Sequence, residues 1–379
     1  MRLHPGAARR TLLVVTAAAT VATMATSCAD FTEQDQVANQ GSFTAEPTMQ
    51  PRPPAPPTPT EEERGDPPTG PCVDPDQSVI ATCLASTGGV RPADQTGRTT
   101  YVAERTTGKI ILSKRYGPQR TVASAEVDAS GDGGLIDFEM SPTYVQDRMI
   151  FALITTGSDN RIVRIAPTGS VKPILTGIPK GATGNMGSIS FASPTELIVA
   201  TGNAGNAADA ENPSSLAGKI FTIDPNRTDP KPEIRASGLG SNVALCPSSG
   251  ADGQLYVADS GSAGDRLSLV GPKGLQPVWS WADRPGVSGC AVGESWIAVS
   301  IAKAKRIDTF IRPSAGSASI GEPTPMETAK TYGAVGRMTS VGGAAAQLAT
   351  INKSTPGANV KSFDDRVAIF QPKAGDDLR

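Results

Sequence analysis

The stretch MIFALITTGSDNRIVRIAP, Met149 to Pro167, decides how the chain is expected to fold. Two apolar runs flank a break of Thr, Gly, Ser, Asp and Asn; Arg161 opens the second run and a proline closes it, the pattern of two short strands joined by a polar turn. The same pattern recurs as YVAERTTGKIILSKRYGP from Tyr101 and as LIVATGNAGN with AGKIFTIDP from Leu197. It returns as LYVADSGSAGDRLSLVGP from Leu255, WIAVSIAKAKRIDTFIRP from Trp296, and LATINKS with DDRVAIFQP from Leu348. Successive copies begin 48, 48, 58, 41 and 52 residues apart, the period of a four-stranded propeller blade. A further short apolar stretch precedes most copies, as in GGLIDFEMSP, MGSISFASP, NVALCP and SGCAVG, and reads as each blade's inner strand. The expected fold is all-β, a six-bladed β-propeller around a central channel.

Lys109, Arg161, Lys219, Arg266, Arg306 and Arg366 open the second strand of successive copies, and repetition at equivalent positions points to a structural role. TGNAGN, Thr201 to Asn206, is glycine-rich but is expected to have no helix after it, so it reads as a rim loop rather than a phosphate cradle. DASGDGGLIDFE, Asp128 to Glu139, matches the calcium-loop template residue by residue. No amphipathic helix flanks it, however, and Gly134 to Pro142 reads as the second blade's inner strand. A strand alternates its side chains, so Glu139 cannot curl back to Asp128.

The chain divides into three expected parts: a signal at 1–27, a tether at 28–71 and the propeller at 72–379. Arg2, Arg9 and Arg10 precede an apolar run from Thr11 to Met24, too short to span a bilayer but suited to a secretory signal. Small residues then lead to Cys28, as in the bacterial lipobox, so lipidation at Cys28 and an anchor on the outer face of the cytoplasmic membrane are expected. Ten prolines between Pro47 and Pro71 favour an extended, disordered tether. Without residues 1–27 the chain carries 32 basic against 37 acidic residues, a net charge of −5, which argues against nucleic acid as a partner. Four cysteines remain once Cys28 is set apart, an even number that suggests two disulfides in an exported protein. Proximity favours Cys72 with Cys83 and Cys246 with Cys290, one of three pairings.

At GDGGLIDFEMSP, NMGSISFASPTELIVATGNAGN and SLAGKIFTIDP the chain resembles the glucose/sorbosone dehydrogenase family of six-bladed propellers. YVAERTTGKI resembles that family's opening blade and GRMTSVGGAAAQLATINKS its last, so the resemblance runs from about Ser78 to Pro372. With its lipobox and tether the whole is similar to a class of actinobacterial lipoproteins. The resemblance implies pyrroloquinoline quinone (PQQ) as cofactor, calcium beside it, and a histidine base at the start of the third inner strand, seven residues before Phe191. That position is Gly184. The only histidine is His4, inside the signal, so the mature chain has no histidine base, triad or histidine-ligated metal. The family's Arg-Asn pair is replaced by Gly240 and Ser241, and Asp132 stands where active members carry glutamine or glutamate.

If the inner strands start at the channel mouth, Asp132, Asn185, Asn242, Ser288 and Arg337 converge there, a set suited to a polar ligand such as a sugar or glycan fragment. The same residue types also satisfy strand ends and turns, and that reading stays open. Arg337 matches a family position that faces the channel. Two functions follow: a tethered binding propeller for a sugar, glycan or envelope protein, or a PQQ-dependent sugar dehydrogenase with Asp132 as substitute base. The missing histidine favours the first, with no catalytic residue and no assured cofactor.

Overall fold

A computed structural model describes residues 69–247, 253–313 and 320–373. The signal, Cys28 and nearly all of the tether lie outside the described residues. The described part of the chain is a six-bladed propeller of four-stranded antiparallel sheets. A first strand, β1 (Val79–Ala81), precedes the blades.

Blade 1 comprises β2 (Thr87–Pro92), β3 (Thr99–Glu104), β4 (Lys109–Lys114) and β5 (Arg120–Ser124). Blade 2 comprises β6 (Leu135–Met140), β7 (Ile150–Thr155), β8 (Asn160–Ile165) and β9 (Val171–Ile178). Blade 3 holds β10 (Ser188–Ser193), β11 (Glu196–Ala200), β12 (Lys219–Ile223) and β13 (Glu233–Ser237). Blade 4 holds β14 (Val243–Pro247), β15 (Leu255–Ser260), β16 (Asp265–Gly271) and β17 (Gly274–Trp281). Blade 5 follows with β18 (Val287–Val292), β19 (Trp296–Ile301), β20 (Arg306–Ile311) and β21 (Thr324–Glu327). Blade 6 takes β22 (Val335–Val341), β23 (Ala345–Thr350) and β24 (Val367–Phe370) from the end of the chain and β1 from its start.

Burial explains the pattern seen in the sequence. Every residue of β7 is buried, because a middle strand has a neighbouring blade on each face, whereas four of the five residues of β13 on the outer edge are exposed. The apolar core lies between blades: Ile136, Phe151 and Leu153 of blade 2 pack against Ile189, Val199 and Phe221 of blade 3. Between blades 4 and 5, Tyr256 and Leu267 meet Val299 and Phe310, and the Cys246–Cys290 disulfide joins the two inner strands with a Cα separation of 5.4 Å. Cys72 pairs with Cys83, also at 5.4 Å, just outside β1.

Five of the six repeated basic residues are spent on local structure. Arg161, Arg266 and Arg306 pair with Asp159, Asp259 and Asp308. Lys219 is fully buried, and its Nζ donates to the carbonyls of Asp209 (2.9 Å), Ala210 (2.6 Å) and Ala217 (3.1 Å). Arg366 is described below, and Lys109 is exposed. Two short helices, α1 (Tyr144–Asp147) and α2 (Ala207–Glu211), interrupt the loops of blades 2 and 3. The second corrects the expectation that no helix follows TGNAGN: Asn206 caps it by accepting from Ala208 N, and the Lys219 bonds hold its end to blade 3.

The ring closes through buried charge. Arg366 donates to Asp74 (2.6 Å), to Asp364 (2.8 Å) and to the carbonyls of Thr331 and Tyr332, tying the N-terminal segment to blade 6. Beside it Asp365 accepts from Asn352 N, Lys353 N and Thr350 Oγ1. Burial, aided by the neighbouring Asp364 charge, pushes Asp365 up to about 7 against the lowering effect of those donors. A carboxyl raised in the folded state contributes stability that is complete below its unfolded value of 3.8 and is lost as pH rises through about 7. Asp365→Asn is therefore expected to flatten the fall in unfolding free energy between about pH 4 and pH 7. Urea titrations across that range check it, and an unchanged slope would show that another group carries the effect.

Candidate functional site

Each blade repeats the same up-and-down order, so the six inner strands run in one direction and their first residues share one face of the ring. On that face Asp132 lies in the loop leading to β6 and accepts from Gly184 N (2.7 Å), Asn185 N (3.2 Å) and Asn185 Nδ2 (2.6 Å). Asn185 is buried; its Nδ2 also donates to Gly181 O, and its Oδ1 accepts from Asn160 Nδ2 and Gly181 N. The two side chains are committed to joining the loops of blades 2 and 3. Asn242 sits where blades 3 and 4 meet, in a parallel bridge with Met186, and its Oδ1 is buried without a partner. Ser288 Oγ is buried and bonded to the carbonyls of Val335 (2.7 Å) and Ser300 (3.2 Å).

Arg337 behaves differently from the other four. It rises from β22, and its Nη1 donates to Ser288 O of blade 5 (3.1 Å), while Nη2 crosses the channel to Gly187 O at the head of blade 3 (2.7 Å). The residue is 5% exposed, its Nε has no partner, and among the described residues no carboxylate forms an ion pair with it. Burial lowers its pKa to about 10, only partly offset by Asp137.

Beyond the Arg337 guanidinium, toward the ends of the inner strands, the channel widens into a cavity of about 230 Å³. One wall is a charged cluster that the sequence pattern does not reveal. Arg91 of β2 donates from Nε to Glu139 (2.9 Å) and from Nη2 to Asp137 (3.2 Å) and Ile189 O (3.1 Å). Asp137, 2% exposed, also accepts from Ser188 Oγ (2.7 Å) and Ile189 N (3.0 Å). Burial raises the pKa of Glu139, and Asp137 adds to the rise, while Arg91 opposes it. The opposite wall is apolar, with Ala244, Leu245, Pro247, Ala291 and Met338, and Ser340 Oγ beside it has no partner.

Of the five residues expected to converge, only Arg337 lines this cavity. Asp132 and Asn185 hold each other on the opposite face, and Ser288 serves through its backbone carbonyl as an acceptor for Arg337. The alternation of Asp137 and Glu139 with Ile136 and Phe138 is readable in the sequence; the partner Arg91, 46 and 48 residues away, is not. Asp128 binds Lys180 and Glu139 binds Arg91, so the two ends of the calcium-like stretch face different partners.

The close approach of blades 1 and 2 depends on Gly89, where a Cβ would lie 1.9 Å from Asp137 Oδ1 and 3.2 Å from Asp137 Cα. Gly89→Ala is expected to displace the Asp137 carboxylate and lower stability by about 1–3 kcal/mol, as overpacking does. Urea unfolding measures it, and a change under about 0.5 kcal/mol would mean that the cluster is not held in this way.

Residues 92–241 match the family model described as Glucose / Sorbosone dehydrogenase. No curated protein sequence matches the chain. Among solved structures the chain is similar to the PQQ-bound aldose sugar dehydrogenase of Streptomyces coelicolor, with 26% identity and a TM-score of 0.68 over 77% of this chain and 96% of that one. A glucose dehydrogenase-type oxidoreductase of Thermus thermophilus gives 21% identity and a TM-score of 0.66 over 77% and 98% of the two chains. The soluble aldose sugar dehydrogenase of Escherichia coli gives 15% and 0.60 over 78% and 99%; these last two likenesses speak to the fold alone. The family-model match at residues 92–241 thus runs from the end of β2 through blade 3 of a six-bladed propeller.

Proposed function

We propose that the chain is a membrane-tethered binding propeller that keeps the sugar-dehydrogenase shape without its chemistry and holds a polar ligand in its channel. Gly184, the position that the family resemblance assigns to the histidine base, carries the reading. It has a φ of +79°, and a Cβ there would lie 2.4 Å from Gly205 N and 2.7 Å from Asn203 Oδ1. Such a position is strained for any L side chain, and the loop opposite leaves no volume for one. Asp132, the substitute base, already accepts from three N–H groups, and a general base must instead face the proton it removes.

The described residues offer no acidic cluster for the calcium that the resemblance implies. Calcium takes six to eight oxygen ligands, commonly carboxylates. Among the described residues no three His, Cys, Asp or Glu side chains gather into a metal-binding group. On the face of the ring that carries Gly184, Asp132 and Asn185 are occupied by each other. The alternative, a dehydrogenase using a carboxylate base, draws on the 26% identity to the PQQ-bound enzyme.

A dye-linked assay over a panel of aldoses, with PQQ and calcium supplied, separates the two. No turnover above the cofactor-only control is expected, since positioned acid-base catalysis contributes about 10²- to 10⁴-fold. Robust turnover abolished in Asp132→Asn would establish the dehydrogenase. The anchor is proposed at Cys28, outside the described residues. Cys28→Ala is expected to release the protein from the detergent phase or leave it unprocessed, and unchanged partitioning would remove the lipid anchor from the reading.

A further inference from the structure

The two disulfides differ in their access to a thiol. Cys246 and Cys290 are 1% and 2% exposed, in the core between blades 4 and 5. Cys72 is exposed and Cys83 half-buried, and both line a surface groove of about 330 Å³ close to residue 69, where the described chain begins. Exchange needs an approach to a sulfur atom, so an exposed disulfide is the labile one and a buried one is inert. Lys114 and Arg115 line the same groove, and cations beside the sulfurs favour both the attacking and the leaving thiolate. Cys83 Sγ also lies 3.4 Å from Ser362 O, an acceptor for the S–H that reduction would create.

We propose that Cys72–Cys83 is a site of thiol–disulfide exchange with a dithiol, and that its reduction loosens the closure of the ring. A thiolate of the dithiol attacks Cys72 Sγ; the S–S bond breaks, and Cys83 leaves as a thiolate that takes up a proton. The second thiol of the reductant then displaces Cys72 from the mixed disulfide. Two electrons and two protons pass to the protein, and the reductant becomes a disulfide. The consequence follows from what the cross-linked loop contains. Between the two cysteines lie Asp74, paired with the buried Arg366, and β1, whose three residues close blade 6 against β24. The chain from Cys72 to Ser78 belongs to no strand or helix, and Arg115 holds it from outside by donating to Asp76 O. Once the sulfurs part, Asp74 is free to leave Arg366, and that guanidinium keeps Asp364 alone of its two carboxylates. Opening is thereby coupled to the contact that ties the two ends of the ring. The inference concerns closure and stands apart from whatever the channel binds.

The test is graded reduction of the folded, detergent-solubilised full chain with dithiothreitol, followed by alkylation and peptide mapping. Cys72 and Cys83 are expected to label without denaturant, with Cys246 and Cys290 slower by about tenfold or more. The selectively reduced protein should lose about 5 °C in thermal midpoint, the scale of one short disulfide loop in a domain of this size. Reoxidation with oxidised glutathione should restore it. Asp74→Asn is expected to lower the midpoint of the disulfide-bonded protein and to shrink the further loss on reduction, because both changes act through the Arg366 contact. Protection of Cys72 and Cys83 until denaturant is added, or reduction of all four cysteines together, would overturn the exchange site. A midpoint unchanged by selective reduction, or losses that simply add in Asp74→Asn, would overturn its coupling to ring closure.

Discussion

Each blade has two apolar faces, and all of them are covered only if the ring closes. That single constraint governs the molecule. The six inner strands pack in cyclic order, and the last contact in the circle, β22 against β2, joins residues near opposite ends of the described chain. Closure is carried by three residues of β1 paired with β24, too short a ladder to hold the ring by itself. The buried Arg366–Asp74 pair, the Cys72–Cys83 disulfide next to β1, and the apolar contacts of Ile80 and Ala81 with Val90 and Val367 reinforce it. A pair so deeply buried contributes little net stability compared with an apolar substitute, but breaking it leaves an uncompensated charge, which makes the closed ring strongly preferred over a nearly closed one.

Closure also creates the channel electrostatics. Arg91, Asp137, Glu139 and Arg337 come from blades 1, 2 and 6, and each is far from its partners in sequence. Asp137 is fixed by Arg91 on one side and by Ser188 and Ile189 N on the other, so three consecutive blades are joined at one carboxylate. Arg337 performs the complementary task across the ring, with one carbonyl from blade 5 and one from blade 3. The result is a channel with a cationic partition: loops fastened by Asp132 and Asn185 on one side, an open cavity on the other.

A shared fold with sugar dehydrogenases therefore says less about chemistry than about shape. On the face that carries Gly184, Asp132 and Asn185 are spent on each other, while Asn242 Oδ1 on that face and Arg337 Nε in the channel have no partner.

The repeat of two apolar runs around a polar break, opening on a basic residue, was enough to specify the blade, the number of blades and the inner strands, because alternation and turn chemistry are local properties of the chain. The Cys246–Cys290 disulfide agrees with the same map, since the two fall on adjacent inner strands, whereas Cys72 and Cys83 lie ahead of the first repeat and were matched by their nearness in sequence. The contribution of β1 to the last blade was not legible, because three apolar residues before the first repeat carry no signal of a partner nearly 290 residues away. Nor was the helix after Asn206, whose stability comes from bonds to Lys219 rather than from its own five residues. Asp132, Asn185, Asn242, Ser288 and Arg337 could be placed near the heads of the inner strands by counting. Whether a side chain at such a position turns to a neighbouring loop or into the channel depends on the curvature of the closed ring and on which donors lie across from it. For that reason only the tertiary structure could separate Arg337 from the other four and bring Arg91, Asp137 and Glu139 to its side of the channel.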